Sequence, residues 1–351
     1  MEGESKMSLA TRLRIPAVLM GVSIFTFALF VGPVAAQTID TEDTFETTDA
    51  PLSAEISSVV DISHDPGEDD DIWTPGTSVL RVTVDLADAN GLAGVWFGVC
   101  IEYENGGMDC VDGTGAPSEW GGYLATVTQN VGNTWSVNEV PGLDSWSSDG
   151  AQFVSGGFDT TAATVQVDVA VGKIARKTTT DRWRVVINAR NDNETDVIDY
   201  TDWDYQIEGY VEAFSGVANR DLGEVATGAW GSTIVSQSLT NIVANAGWKI
   251  QVESVDAAWE NGGGGADAAL VTSATPGANQ FALRCASGVD PDGVNGVFID
   301  SGTPVDIANA TGSALTSTAS PGSANLRCRV RNGTTAAGNY TGTVQTTLTL
   351  Q

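Results

Sequence analysis

The chain has 351 residues, of which 45 are acidic and 16 are basic, so its net charge at neutral pH is -29. A surface this acidic repels nucleic acid and anionic lipid, and it excludes both as partners of the molecule as a whole. A chain of this length can form two hydrophobic cores.

The first 36 residues have the features of a secretory signal peptide. Lys6, Arg12 and Arg14 precede the apolar run 15–31, and the sequence PVAA ends at Ala36, where we expect cleavage. The run is long enough that an uncleaved N-terminal anchor stays open as an alternative. No second apolar stretch follows, so we expect a secreted protein with no membrane span in the mature chain.

Two regions of different charge follow an acidic segment. Residues 37–51 are polar and acidic, and this composition predicts a flexible leader. Residues 51–220 contain 28 acidic and 8 basic residues, whereas residues 221–351 contain 10 and 5. The composition changes near Ala213–Gly223, which predicts a first domain over residues 52–214 and a second over residues 215–351.

Alternation of apolar and polar residues predicts strands in both domains. The pattern is clearest in the segments SVLRVTVDL, ATVQVDVAV, RWRVVINAR, WKIQVES and NYTGTVQTTLTLQ. The mature chain contains no clear amphipathic helix, and a parallel sheet would need helical crossovers. We therefore predict an all-β protein made of two tandem antiparallel β-sandwich domains.

Both halves resemble known extracellular modules. Residues 52–210 resemble immunoglobulin-like modules through VTVDLADANGLAGVWFGVCIEY and DRWRVVINARND. The second half resembles secreted pilin-like and WxL-type surface modules through SLTNIVANAGWKIQV and AAGNYTGTVQTTLTL. Trp248-Lys-Ile approximates the Trp-x-Leu element, whereas Thr346 stands where a second tryptophan is expected. The resemblance implies immunoglobulin-like sandwiches, and the WxL family would imply peptidoglycan binding.

Four cysteines allow three pairings, and an oxidising compartment favours disulfides over free thiols. We predict the local pairing, Cys100 with Cys110 and Cys285 with Cys328. A hairpin that turns about Asn105 through a three-residue loop or a bulge would place Cys100 opposite Cys110. Zinc is the alternative, but its sites use Cys-x-x-Cys or histidine spacing, and the chain has one histidine.

Common catalytic motifs are absent from the sequence, which contains no G-x-S-x-G, no HExxH, no Walker loop and no G-x-G-x-x-G after a strand. His64 is the single imidazole, and we interpret it as a loop residue because no nucleophile lies near it in sequence. Carboxylates are so numerous that a glycosidase built on two of them stays open as an alternative. We expect a protein that is not an enzyme.

Two groups of carboxylates have the composition of calcium-binding loops, because calcium takes six to eight oxygen ligands. The first group contains Asp65, Glu68, Asp69, Asp70 and Asp71. The second contains Asp192, Asp196, Asp199, Asp202 and Asp204. The alternative is a solvated acidic face, since neither group follows a strict ligand spacing. Calcium is the one cofactor that the sequence suggests.

Carbohydrate could be recognised by aromatic side chains or attached at sequons. A region rich in glycine and serine contains Trp120, Trp135 and Trp146. These side chains are candidates for a face that stacks on sugar rings, and packing of the loops is the alternative. Four Asn-x-Ser/Thr sequons are candidate glycosylation sites, at Asn193, Asn309, Asn332 and Asn339.

A basic group interrupts the acidic first half and contains Lys173, Arg176, Lys177, Arg182 and Arg184. It is interpreted either as a turn that balances the adjacent acidic loops or as a docking tip for the acidic face of a neighbouring subunit. The last predicted strand, Tyr340–Gln351, either completes its own sandwich, as we expect, or is donated to a neighbour.

Together these features predict a secreted, non-enzymatic cell-surface protein with a structural or adhesive role, as a subunit of an extracellular filament or surface layer. The alternative is an extracellular module that binds carbohydrate or calcium. The expected partners are other copies of the chain, other surface proteins and glycans, and nucleic acid is not among them.

Overall fold

The computed structural model describes residues 52–63, 71–104, 110, 118–130, 134–137, 146–180, 182–191, 196–215, 219–292, 294–316 and 318–351. For residues 123–130, 134–137 and 149–150 the description covers the backbone only. The regular secondary structure of these ranges is β-strand throughout, which confirms the all-β prediction. These ranges contain no helix with the length and apolar character that a membrane crossing needs.

The strands of the first half are β1 (Ser53–Asp61), β2 (Ile72–Trp73), β3 (Val79–Ala87), β4 (Trp96–Tyr103), β5 (Gly121–Asn130), β6 (Thr134–Val137), β7 (Ser147–Ser155), β8 (Ala162–Ala170), β9 (Trp183–Arg190), β10 (Asp196–Tyr200) and β11 (Gln206–Ile207). The strands of the second half are β12 (Val211–Ser215), β13 (Val235–Ala244), β14 (Trp248–Ser254), β15 (Ala258–Asn261), β16 (Ala268–Leu270), β17 (Gln280–Ser287), β18 (Val297–Phe298), β19 (Val305–Gly312), β20 (Gly322–Asn332), β21 (Tyr340–Thr341) and β22 (Val344–Leu350).

Two antiparallel sheets form the first half, with strand orders β1-β3-β8-β7 and β10-β9-β4-β5-β6. A short parallel pair is formed by β2 and β11. Buried residues recur at every second position of β3 and β8, so each strand presents one apolar face. These faces pack with the other sheet into one core that includes Val82, Val167, Phe97 and Trp183. The packing is that of a β-sandwich.

The central strands β4 and β9 are buried on both faces. Their outer face is covered by a smaller cluster that consists of Cys100, Cys110, Val186 and the half-buried Trp96. A strand covered on both sides needs apolar residues at successive positions. This explains why the runs FGVCI in β4 and VVINA in β9 do not alternate.

The second half has a large sheet with the order β12-β13-β20-β17-β16-β15-β21, in which β18 also pairs with β17. A small sheet has the order β19-β14-β22. All neighbouring strands are antiparallel except β16 and β17. The two sheets share a core that includes Trp248, Ile250, Leu283 and Leu326. This half also packs as two layers.

The C-terminal strand completes the small sheet of its own chain. β22 pairs with β14 along its whole length, with Leu350 opposite Trp248. Val344 and Leu348 pack against the second core, as the alternating pattern predicts. The chain therefore fills its own sheet in the way that we expected.

The predicted single strand 340–351 is wrong in one respect, because the structure divides it into β21 and β22. β21 pairs with β15 of the large sheet, whereas β22 pairs with β14 of the small sheet. Gly342 lies at the break, and a Cβ atom there would come within 2.2 Å of the Trp259 ring. The chain can cross from one sheet to the other because glycine lets the backbone pass against the indole.

A buried asparagine joins the two halves. Asn245, in the turn between β13 and β14, is fully enclosed. Its Nδ2 donates hydrogen bonds to the carbonyl oxygens of Ala175 at 2.8 Å and Glu208 at 2.7 Å. Its Oδ1 accepts the backbone N–H of Tyr210 at 2.8 Å. Only residues 208–210 separate β11 from β12, which pairs with β13, so the halves are held together without a long linker. The predicted domain limits stay a prediction.

A charged triad lies next to this junction. The Glu212 carboxylate accepts hydrogen bonds from Lys173 Nζ at 2.8 Å and Tyr210 OH at 2.5 Å. Burial opposes ionisation of Glu212, but the two hydrogen bonds outweigh it and lower the pKa of the carboxyl. The hydrogen bond to Glu212 raises the pKa of Lys173. The triad therefore stabilises the fold fully between the ordinary pKa values of Glu and Lys, and this contribution is lost on acidification or at high pH.

Candidate functional surfaces

The structure contains both predicted disulfides, Cys100–Cys110 and Cys285–Cys328. The second bridge joins directly opposed residues of β17 and β20, whose Cα atoms are 4.2 Å apart. Such close pairs occur at sites of an antiparallel ladder that lack direct hydrogen bonds. This bridge therefore links two adjacent strands within the second core.

The hairpin from which we derived the first pairing is wrong. Cys100 on β4 lies opposite Tyr123 of β5 and Val186 of β9, so both edges of its strand are already occupied. Cys110 lies in a turn, with its Cα atom 6.0 Å from that of Cys100. The disulfide therefore holds Cys110 against the outer face of β4 and does not join two paired strands.

The first acidic group lies almost entirely outside the described residues, which include neither His64 nor Asp65, Glu68, Asp69 and Asp70. Asp71 is described and exposed, and its carbonyl oxygen accepts the backbone N–H of Gln206 at 2.8 Å. This bond continues the short parallel pair of β2 and β11 toward the acidic segment. Asp71 is therefore held next to the sheet by its backbone.

The described members of the second acidic group do not converge. Asp196 and Asp199 lie three positions apart on β10, so their side chains point to opposite faces of the strand. Asp196 pairs with Arg190, and Asp199 Oδ2 accepts the backbone N–H of Ile56 at 2.7 Å. Asp202 and Asp204 follow in an exposed loop, and Asp192 lies outside the described residues. Among the described side chains, no group of three His, Cys, Asp or Glu is arranged to hold a metal ion.

Calcium binding by either acidic group would show as a rise in melting temperature, because a ligand that binds only the native state stabilises it. Calcium at 100 times its Kd would add about 2.7 kcal/mol to the free energy of unfolding. We expect the rise to be lost in D69N/D70N and kept in D196N, since Asp196 already pairs with Arg190. Calorimetry with magnesium and sodium at matched ionic strength is the control. Equal melting temperatures in all salts would leave both groups as a solvated acidic face.

The three candidate sugar-binding tryptophans do not form one exposed face. Trp146 is only 1% exposed, packs on Trp183 at 5.6 Å between ring centroids, and donates from Nε1 to the Ser118 carbonyl at 3.2 Å. Its assignment to a sugar-stacking face is therefore wrong. Trp120 is half-buried and stacks on Tyr103 at 5.2 Å. The side chain of Trp135 lies outside the described part of the chain.

The sequons differ in accessibility. Asn193 lies outside the described residues. The Asn332 amide is used inside the fold, because Nδ2 donates to the Val225 carbonyl at 3.2 Å and Oδ1 accepts the Thr335 hydroxyl at 2.6 Å. Asn309 and Asn339 are exposed. Of the described sequons, these two offer an accessible acceptor amide.

Three of the five side chains of the basic group in the first half pair with carboxylates of the same chain. Its side chains contact the following groups: Lys173 with Glu212, Arg182 with Glu104, Arg184 with Glu102, and Arg176 over the Trp120 ring at 4.6 Å. Lys177 donates its backbone N–H to the Asn245 carbonyl at 3.3 Å. The structure therefore favours a turn that balances nearby acids over a docking tip.

A second basic surface lies on the large sheet of the second half, and the sequence analysis did not single it out. We name it the arginine–aromatic face, and it consists of Arg284, Arg327, Arg329, Arg331, Trp230 and Phe298. All six side chains are partly exposed. The signal for it is the run RCRVRN in β20, where alternate arginines point away from the core that contains Cys328 and Val330.

Strand register brings the members of this face together. Arg284 lies opposite Arg329 on one side and Phe298 on the other, while Trp230 lies opposite Arg331. The Arg284 guanidinium is 4.0 Å from the Phe298 ring centroid and 5.3 Å from that of Trp230. The guanidinium groups of Arg329 and Arg331 lie 6.0 Å and 5.9 Å from the Trp230 centroid. Contacts of this kind are attractive cation–π interactions.

An opposite charge arrangement lies on the outer face of the first half. Glu55 of β1 and Asp85 of β3 are directly opposed in register. They line a cleft of about 330 Å³ whose other lining residues are small, polar or apolar and include no base. The Thr164 hydroxyl donates to Asp85 Oδ1 at 2.6 Å. We name this feature the carboxylate cleft.

The fold and these surfaces define an all-β protein with packed antiparallel sheets and a disulfide in each half. No protein-family description and no curated protein matches the chain. Among solved structures, it is similar to the CupB6 tip adhesin from Pseudomonas aeruginosa at 13% identity, over 86% of this chain and 95% of that chain, with a TM-score of 0.26.

Two further solved structures give comparable scores. One is a chain of a chaperone–tip adhesin complex of CFA/I fimbriae biogenesis, at 9% identity over 87% of this chain and 92% of that chain, with a TM-score of 0.26. The other is the partial N-terminal region of an enterococcal surface protein, at 11% identity over 83% and 87%, with a TM-score of 0.19. TM-scores this low carry no inference about fold or function.

Proposed function

We propose that this protein is a secreted, non-enzymatic structural or adhesive protein of the cell surface, and that it serves as a subunit of an extracellular filament or surface layer. The proposal places the chain in an oxidising compartment, where disulfides are stable. Both predicted disulfides form in the structure. The signal peptide predicted at residues 1–36 supports the same location.

The junction at Asn245 is the observation that supports a structural role most directly. A subunit of an ordered polymer must present its contact surfaces in a fixed relative orientation. The Asn245 side chain of the second half is fully buried, and it makes one hydrogen bond to Ala175 of the first half and two to Glu208 and Tyr210 of the connection. The connection between β11 and β12 consists of residues 208–210 only. Domains joined by long linkers would move relative to one another.

Negative-stain electron microscopy of the natively secreted protein tests this function. We expect regular filaments or sheets in wild-type material from the cell surface, with a repeat that fits one copy of the chain. Material prepared after proteolytic shaving of the cells serves as the control. Single particles of uniform size, at the protein concentration found on the cell surface, would contradict the proposal.

A second candidate is carbohydrate binding at Trp120, which is the one of the three candidate tryptophans whose described side chain is partly exposed. The Tyr103 ring at 5.2 Å and the Arg176 guanidinium at 4.6 Å already contact the indole. A sugar would therefore contact only the part of the ring that stays exposed. Glycan binding by the monomer that is lost in Trp120→Ala, with the melting temperature unchanged, would favour this candidate.

A further inference from the structure

The arginine–aromatic face carries positive charge that its own chain leaves largely unpaired. Of the four arginines of this face, only Arg327 forms an ion pair with a described residue, Asp290. Arg284 and Arg331 donate to the carbonyl oxygens of Asp292 and Gly228, which are neutral acceptors. Asp290 and Asp292 lie at the rim, and even with both counted the face keeps excess positive charge.

Two further features indicate that this face is incomplete in a single copy. Arg284 and Arg329 are directly opposed across two strands, and like charges at such positions repel. The Nε atoms of Arg284 and Arg331 are enclosed, yet they make no hydrogen bond. Arginine and tryptophan are also the side chains most enriched where protein partners bind tightly. The face therefore has the composition of a contact site for an anionic partner.

The carboxylate cleft has unbalanced negative charge. Glu55 and Asp85 repel each other across β1 and β3, and the cleft lining supplies no base to balance them. Directly opposed residues have Cβ atoms about 5 Å apart in any antiparallel pair. The Arg284–Arg329 pair and the Glu55–Asp85 pair thus each carry two like charges on directly opposed residues, and the two pairs have opposite sign.

We propose that the arginine–aromatic face of one copy binds the carboxylate cleft of a second copy, an inference that rests on the proposed function as a polymer subunit. Each guanidinium would meet one carboxylate, a pairing whose planar geometry allows two parallel hydrogen bonds. Contact relieves like-charge repulsion in both copies. The surrounding first half, with 28 acidic and 8 basic residues, steers the basic face toward it.

The two surfaces are different patches of one chain, so the contact is head to tail. A heterologous contact of this kind leaves one free face and one free cleft on every dimer. A third copy can then add at either end, and growth continues as an open chain unless the rotation closes a ring. The proposed contact therefore accounts for a filament without any additional component.

Two charge-reversal variants test the contact: R284E/R329E removes the face and keeps the cleft, while E55R/D85R removes the cleft and keeps the face. In sedimentation velocity at low salt, we expect wild type to form species larger than dimers. Each variant alone should stay monomeric, with at least roughly tenfold weaker self-association. An equimolar mixture should assemble again, because it contains the native face–cleft pair and also a swapped pair, in which the glutamate face of one variant meets the arginine cleft of the other.

The melting temperature of each variant shows whether it still folds. A further control variant, R284K/R329K, keeps the positive charge and should still assemble. Self-association of either reversal variant at wild-type strength would overturn this contact but leave the filament function standing. A wild type that never assembles would overturn both. Binding of wild-type monomer to polygalacturonate, lost in R284E/R329E while assembly is unaffected, would assign the face to an acidic glycan and overturn the second-copy proposal.

Discussion

Simultaneous replacement of Cys285 and Cys328 by alanine is expected to lower the free energy of unfolding of the second half by about 4 kcal/mol. The bridge closes a loop that spans 43 positions, and its loss returns conformational freedom to the unfolded chain. Both sulfur atoms also lie in the second core, so alanine leaves unfilled space between β17 and β20. Urea denaturation with hydrogen exchange on these strands measures the effect.

The matched control is C100A/C110A, which opens a loop that spans only 10 positions on the other half. The expected loss in free energy of unfolding is smaller, about 3 kcal/mol. Faster hydrogen exchange should then appear in β4 and β9 and not in β17 and β20. Reduction of wild type should give the sum of both losses. An unchanged denaturation midpoint for C285A/C328A would show that the bridge does not constrain the unfolded state.

Replacement of Asn245 by alanine is expected to weaken the junction more than any surface substitution. The change leaves the Ala175 and Glu208 carbonyls and the Tyr210 N–H without their partners. A fully buried polar group that loses its hydrogen bond costs about 1–3 kcal/mol. The Ala175 carbonyl is such a group and the other two are part-buried, so we expect a total loss of about 3 kcal/mol. Hydrogen exchange should increase first near residues 206–215 and 243–247.

Two variants separate this effect from a general loss of stability. Asn245→Asp keeps the acceptor for Tyr210 but brings a carboxylate against two carbonyl oxygens, so it should destabilise at least as much as alanine. Asn339→Ala removes an exposed side chain and should change stability by less than about 0.5 kcal/mol. If hydrogen exchange at the junction is the same in Asn245→Ala as in wild type, the halves are held together by other contacts.

Local alternation was sufficient to predict strands such as β3, β8 and β14, because each buries one face and exposes the other. It did not predict which strands pair with them in the sheets. The hairpin about Asn105 failed because β5 and β9 occupy both edges of β4, and partners from distant parts of the chain are not encoded in a local pattern. The cysteine pairing was nevertheless right, since a loop can deliver Cys110 to the same place.

The surfaces were less predictable than the strands. Trp120 and Trp146 occur in the same glycine-rich context, yet Trp146 is buried because Trp183, from a distant strand, packs against it. The alternating arginines of β20 were visible in the sequence, but Trp230 and Phe298 join them only through pairing with other segments. Asn245 gave no signal, because its role depends on loops about 35 and 70 positions away.

The short connection between the halves has a consequence for resistance to proteolysis. Proteases cleave chains that can leave the fold locally and extend into the active site. Between β11 and β12, the N–H of Glu208 donates to the Trp73 carbonyl and its own carbonyl accepts from Asn245, while Tyr210 is bonded to Asn245 through both N–H and carbonyl. The connection between two domains is a usual site of cleavage, and here its hydrogen bonds oppose extension of the backbone. We therefore expect a protease to leave residues 208–210 uncut while the junction remains closed.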